Sequence, residues 1–238
     1  MTSFPWSEGP RELLQHASDH LSLGGDFDRR VAMISIDNAV ELAVKTYLGL
    51  PERARGSKGP GRKEVDEASE SFPALIELVE RHFGSRLRTI DLAAIDWYHR
   101  LRNQLYHSGN GITVDRDRVE AYFQIASDLF ESLFGFPPSI NNLSASYTKT
   151  GEFLRLWSEF ERKLRKSMPS KTGPAHYWKR DAIAGISEET VKRWDSVSRF
   201  RNELVHGVQD PSPESLDSWI RELRRLTEAV QARLRPPL

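Results

Sequence analysis

Apolar residues recur every three to four positions along most of this chain, and that spacing confines it to helices. A side chain every 100° around a helix puts positions i, i+3, i+4 and i+7 on one face, whereas a half-buried strand needs alternation. The spacing predicts helices over 8–22, 27–49, 72–84, 88–107, 115–134, 149–167, 186–206 and 213–235. Long alternating runs bounded by turn pairs are missing, so an all-α fold is expected and sheet classes are excluded. Local signals agree at the ends. Gly24-Gly25 separates the first two helices, Ser187 precedes Glu188 and Glu189 as a cap followed by two acids, and Gly207 follows His206 where a left-handed residue is expected. Ser212 can cap the last helix, with Pro213 in its first turn, where a missing N–H costs little.

Two stretches break the period. Residues 50–70, rich in Gly, Pro and charge, read as a mobile loop. Residues 135–148 (GFPPSINNLSASYT) read as a linker, so domains are expected over 1–140 and 141–238. Net charge is zero, with 34 basic and 34 acidic side chains, but residues 1–140 hold 16 basic and 21 acidic (−5) and residues 141–238 hold 18 and 13 (+5). The halves should attract, although solvated surface and chance produce such differences as readily. Cysteine is absent, which excludes a disulfide scaffold, a thiol nucleophile and thiolate metal sites, and suits a reducing cytoplasm. No apolar run approaches the ~20 residues of a membrane span, and the start MTSFPWSEGPREL lacks the pattern of a secretory signal; no membrane partner is expected.

The most informative feature is a repeat. Asp96-Trp-Tyr-His-Arg-Leu-Arg-Asn-Gln-Leu-Tyr-His107 aligns without gaps to Asp195-Ser-Val-Ser-Arg-Phe-Arg-Asn-Glu-Leu-Val-His206. Six of the twelve positions are identical, against roughly one in twenty for unrelated segments of average composition, so an internal duplication is the better explanation. On an ideal helix with Asp96 at 0°, Arg100, Asn103 and His107 fall at about 40°, −20° and 20°, while Tyr98, Leu101 and Leu105 fall at about 200°, 140° and 180°. The second copy repeats this division, with Asp195, Arg199, Asn202 and His206 opposite Val197, Phe200 and Leu204. A solvated face requires charge but not the same residues twice, so the duplicated stripe points to a function. The Asp96–Arg100 and Asp195–Arg199 pairs also have the favourable acid-first i,i+4 spacing.

Arg102-Asn103-x3-His107 and Arg201-Asn202-x3-His206 resemble the Arg-(four to six residues)-His signature of the HEPN superfamily, including the Asn that often follows its Arg. The segment Asp37-Asn38-Ala-Val-Glu41-Leu-Ala-Val-Lys45 is similar to the long helix that precedes the motif there, and Phe153, Trp157, Phe160 and Leu164 mark a looser counterpart in the second half. The resemblance implies two helical bundles packed as an intramolecular pseudo-dimer, with the two motifs joined in one composite site. It also implies a metal-independent endoribonuclease without cofactor, in the setting of a toxin or antiphage effector, with RNA as substrate and an inhibitor or antitoxin protein as partner. A homodimer pairing like motifs is an intermediate arrangement. Some HEPN toxins carry a Tyr two residues after the His, which an antitoxin modifies; Gly109 and Val208 stand there instead, so that route of silencing is not expected.

RNA supplies its own nucleophile, the 2′-hydroxyl, so cleavage needs one group to remove its proton, one to protonate the leaving 5′-oxygen, and a cation for the phosphorane. Histidine titrates near neutrality and serves either proton role, and guanidinium grips two phosphate oxygens. The resemblance thus assigns His107 and His206 as the acid–base pair in an open order, Arg102 and Arg201 to the scissile phosphate, and Asn103 and Asn202 to fixing the imidazoles; products would be a 2′,3′-cyclic phosphate and a 5′-hydroxyl. Ideal helix geometry instead favours Arg100 and Arg199, since Arg102 lies about 140° from His107 and Arg100 only about 20°. Asp96, Arg100, Asp195 and Arg199 are therefore expected as supporting residues.

The chain carries weaker signals as well. Residues 162–180 hold seven Lys or Arg and no acid; Lys171, His176, Tyr177, Trp178, Lys179 and Arg180 suit RNA backbone and base stacking, or a basic helix end with a core Trp. Arg53, Arg55, Lys58, Arg62 and Lys63 suit a loop that closes over substrate, but read better as a plain solvated loop. Gly56-x4-Gly61-Arg62-Lys63 is spaced like a phosphate-binding loop but lacks the Lys-Ser/Thr ending. His16 and His20, four apart, read as helix-surface histidines without a third ligand nearby, so no metal is expected. The rival to the nuclease reading is a non-catalytic module that binds RNA, a nucleotide or a protein.

Overall fold

A computed structural model describes residues 4–107, 113–140, 149–167, 186–205 and 211–234. Those residues form helices and connections, with no strand among them. After a 3-10 turn at Pro5–Ser7 come α1 (Glu8–Leu23), α2 (Asp26–Gly49), α3 (Glu52–Arg55), α4 (Arg62–Ala68), α5 (Phe72–Phe83), α6 (Leu92–His107), α7 (Arg116–Phe134), α8 (Lys149–Ser167), α9 (Glu188–Val205) and α10 (Pro213–Leu234). The chain divides into two compact units, Met1–Ser146 and Tyr147–Leu238. No helix among the described residues is long and apolar enough to cross a membrane.

In the first unit α2 is the central element, packed against α1, α4, α5, α6 and α7. Its sequence explains this, because apolar or small residues cover a broad face of it. Met33, Ile36, Val40, Val44 and Tyr47 fill the core, and Ala32, Ala39 and Ala43 let neighbouring backbones come close. Gly24 ends α1 in the left-handed conformation, with φ +77°, and its N–H bonds back to the His20 carbonyl. Gly25 and Asp26 then start α2 directly, so α1 and α2 form a hairpin.

The second unit is built on α8, α9 and α10, with α10 packed on the other two. Phe153, Trp157, Phe160 and Leu164 of α8 meet Trp194, Val197, Phe200 and Leu204 of α9 and an apolar stripe of α10 (Leu216, Ile220, Leu223, Leu226, Val230), all buried. Aromatic contacts bind the layers, with ring centroids at 5.2 Å for Phe160–Trp194, 5.1 Å for Phe153–Phe200 and 4.5 Å for Phe200–Trp219. The Ser187 and Ser212 caps accept from the backbone N–H groups of Thr190 and Ser215 at 3.2 and 3.3 Å.

Residues 50–70 differ from the expected mobile loop, because they contain α3 and α4. Arg55 is only 8% exposed; its Nη1 donates to the Leu48 carbonyl at 2.7 Å and its guanidinium lies 5.3 Å from the Phe83 ring centre. It serves an orphan carbonyl at the end of α2, which a sequence reading of charge as solvated surface misses. Gly59 is packed so closely on this guanidinium that an added Cβ would lie 2.5 Å from it.

Candidate functional site

The motif helix of the first unit, α6, starts at an Asp91 cap that accepts the Ala94 N–H at 2.9 Å. Ile95 and Tyr98 turn into the core, and Tyr98 stacks on Tyr122 of α7 at 4.5 Å with planes 9° apart. This packing brings α6 against α2 at Asp37, a carboxylate with 0% exposure.

A buried carboxylate is tolerated only with hydrogen-bond donors or a paired charge, and Asp37 has two donor side chains and a guanidinium beside it. Tyr122 donates its hydroxyl to Oδ1 at 2.8 Å. His99 approaches with Nδ1 at 3.0 Å from Oδ2 and 3.2 Å from Oδ1, its ring stacked on Phe72 at 3.9 Å. Arg102 of the motif brings Nε to 3.4 Å from Oδ2. The phenol of Tyr122 is held protonated well above its usual 10.0, first by burial, then by the Asp37 charge and hydrogen bond and by Tyr98, with Arg102 pulling the other way.

Arg102 is therefore directed at its own bundle. Besides its ion pair with Asp37, it donates from Nη2 to Asn38 Oδ1 at 2.9 Å and from Nη1 to Asn103 Oδ1 at 3.0 Å, and its side chain is 21% exposed. Arg100, two residues earlier, is 67% exposed and pairs with Asp96 at 2.6 Å. The helix geometry that separates the two arginines thus has a visible result, one turned to α2 and the other to solvent. Asn103, expected to orient an imidazole, gives its carbonyl oxygen to Arg102.

Part of this arrangement recurs on α9. Arg201 Nη1 donates to Asn202 Oδ1 at 3.2 Å, Arg201 is half-buried and Arg199 exposed. Val197, Phe200 and Leu204 are buried, as the apolar face requires. Ser198 occupies the position of His99; it is buried and its Oγ has no hydrogen-bond partner. His107 is the last residue of α6, but its side chain lies outside the described residues, as do His206, Lys171, His176, Tyr177, Trp178, Lys179 and Arg180.

Sequence reading named Asp37 and Asn38 only as part of a helix, and it missed His99 and Tyr122. His99 left a faint trace, since it aligns with Ser198 as a polar position directly after an apolar-face residue, Tyr98 or Val197. Tyr122 left none, because it lies 85 residues from the carboxylate it serves. A cleft of about 350 Å³ between α9 and α10 is lined by Lys192, Arg193, Ser196 and Trp219, but Arg193 is already paired with Glu189 and Glu222. Among the described residues no group of three His, Asp or Glu side chains is placed to hold a metal ion.

No protein-family model matches the chain, no curated protein matches it in sequence, and no solved structure matches it.

Proposed function

We propose that the chain is a metal-independent endoribonuclease of the HEPN type, with one composite site drawn from both motifs of an intramolecular pseudo-dimer. The observation that supports this most is the repeat itself together with its local geometry. Each copy holds an Arg–Asn clasp at nearly the same length, 3.0 and 3.2 Å, late in an amphipathic helix. Clasping by its neighbour lowers the freedom of a guanidinium before it meets a phosphate, which favours electrostatic stabilisation of the phosphorane without reorganisation. His107 and His206 exchange the protons, and the opposite charges of the halves favour pairing. The products are a 2′,3′-cyclic phosphate and a 5′-hydroxyl, and the role is that of a toxin or antiphage effector in the cytoplasm.

A second reading rests on the ties of Arg102 to Asp37 and Asn38, which also suit an arginine that braces the bundle of a non-catalytic binding module. The experiment that separates the two is incubation of pure protein with total RNA in EDTA, beside His107→Ala, His206→Ala and the double variant. In a composite site each single variant loses ~10²–10⁴-fold in rate and the double is little worse, because residues acting as a unit are non-additive. Two independent sites would leave about half the activity in each single variant. Cleavage unchanged in the double variant ends the nuclease reading.

A further inference from the structure

His16 and His20 stand one helical turn apart on α1, and α2 orients both rings. His16 Nδ1 lies 3.0 Å from the Ser35 hydroxyl, and His20 Nδ1 lies 2.8 Å from Asp28 Oδ1. An ionised carboxylate can only accept, so His20 carries its proton on Nδ1, and the Ser35 hydroxyl can accept the same proton from His16. With His16 in the tautomer that donates to Ser35, the nitrogen that remains as a lone-pair donor on each ring is Nε2. The ring centroids are 4.7 Å apart with planes inclined at 68°. Two imidazoles bound to one ion at ~2.0–2.1 Å, with an N–metal–N angle between about 90° and 110°, place their centroids roughly 4.5–5.2 Å apart.

We propose that His16 and His20 form a binding site for a divalent transition-metal ion of the zinc, nickel or copper class, held through the two Nε2 atoms. Imidazole nitrogen suits these ions, whereas magnesium and calcium require oxygen. Asp28 and Ser35 act behind the ligands, fixing tautomer and ring direction. No third His, Asp or Glu joins the pair among the described residues, so water completes the coordination and the site is open. Ser35 and Asp37 point about 200° apart around α2, so the ion lies on the α1 side of that helix and the Asp37 cluster on the α6 side. The site is therefore no part of the proposed RNA chemistry and is compatible with cleavage in EDTA.

The test is calorimetric titration of untagged, EDTA-stripped full-length protein with zinc chloride, with magnesium chloride as the control. Thermal melts with and without zinc accompany it, and each variant is compared with itself, so that altered stability does not imitate lost binding. His16→Ala and His20→Ala should each weaken zinc binding tenfold or more. Asp28→Asn, which keeps both ligands, should weaken it by about tenfold. Magnesium should produce neither binding heat nor a melting shift. Zinc affinity unchanged in both histidine variants, or no zinc binding below millimolar concentration, overturns the proposal. RNA cleavage does not enter the readout, so the result stands apart from the nuclease question.

Discussion

Replacing Asp37 with Ala should unfasten α6 from α2 and destabilise the first unit by about 3–5 kcal/mol, the usual cost of removing one partner from a buried ion pair. The structure accounts for a value at that level. Substitution strands the Tyr122 hydroxyl and the His99 N–H, both directed at a carboxylate with 0% exposure, and removes the charge that pairs with Arg102. Hydrogen exchange of backbone amides reads this unit by itself, with α8–α10 as the internal reference. Where exchange follows the opening equilibrium, protection of the most slowly exchanging α2 and α6 amides should fall by about 10²–10⁴-fold, since each 1.36 kcal/mol is tenfold. Tyr122→Phe alone should cost about 1.5–3 kcal/mol, as the loss of one hydrogen bond to a charged group. In the Asp37→Ala background it should cost less, because the bond is already gone. Protection within threefold of wild type in Asp37→Ala, or an equal cost of Tyr122→Phe in both backgrounds, would refute the reading of Asp37 as the hub.

Three further outcomes are expected. Tyr122 titrates well above its ordinary 10.0 when folded, so its contribution to stability is fully present below about pH 10 and is lost as pH rises through the folded value. Urea unfolding between about pH 9 and 12 should show that loss in wild type and a shallower one in Tyr122→Phe. Arg55→Ala removes the donor to the Leu48 carbonyl and should expose residues 51–63 to trypsin, seen as faster cleavage after Arg53, Lys58, Arg62 or Lys63 than in wild type. If the proposed nuclease chemistry is right, Arg102→Ala should reduce RNA cleavage by ~10²–10³-fold, and Arg100→Ala by less than about fivefold. The reverse order would move the phosphate contact to the exposed arginine.

Much of the scaffold was legible in the sequence because helix formation is local. A 3.6-residue period and caps at Ser187 and Ser212 are written within a few positions of where they act, and the eight long helices lie close to their expected spans. The duplicated Asp-Arg-Arg-Asn-Leu-His pattern was equally visible, since repetition needs no third dimension. The short helices α3 and α4 were not, because four and seven residues show too little period to outweigh their Gly, Pro and charge. Tertiary structure alone decided that Arg55 caps α2, that Arg102 meets Asp37 and Asn38, and that Asp37 gathers donors from α6 and α7. Each outcome depends on which helix lies alongside. A polar side chain takes its role from the donors and acceptors left in reach once the apolar faces have packed, and those come from residues as far as 85 positions away.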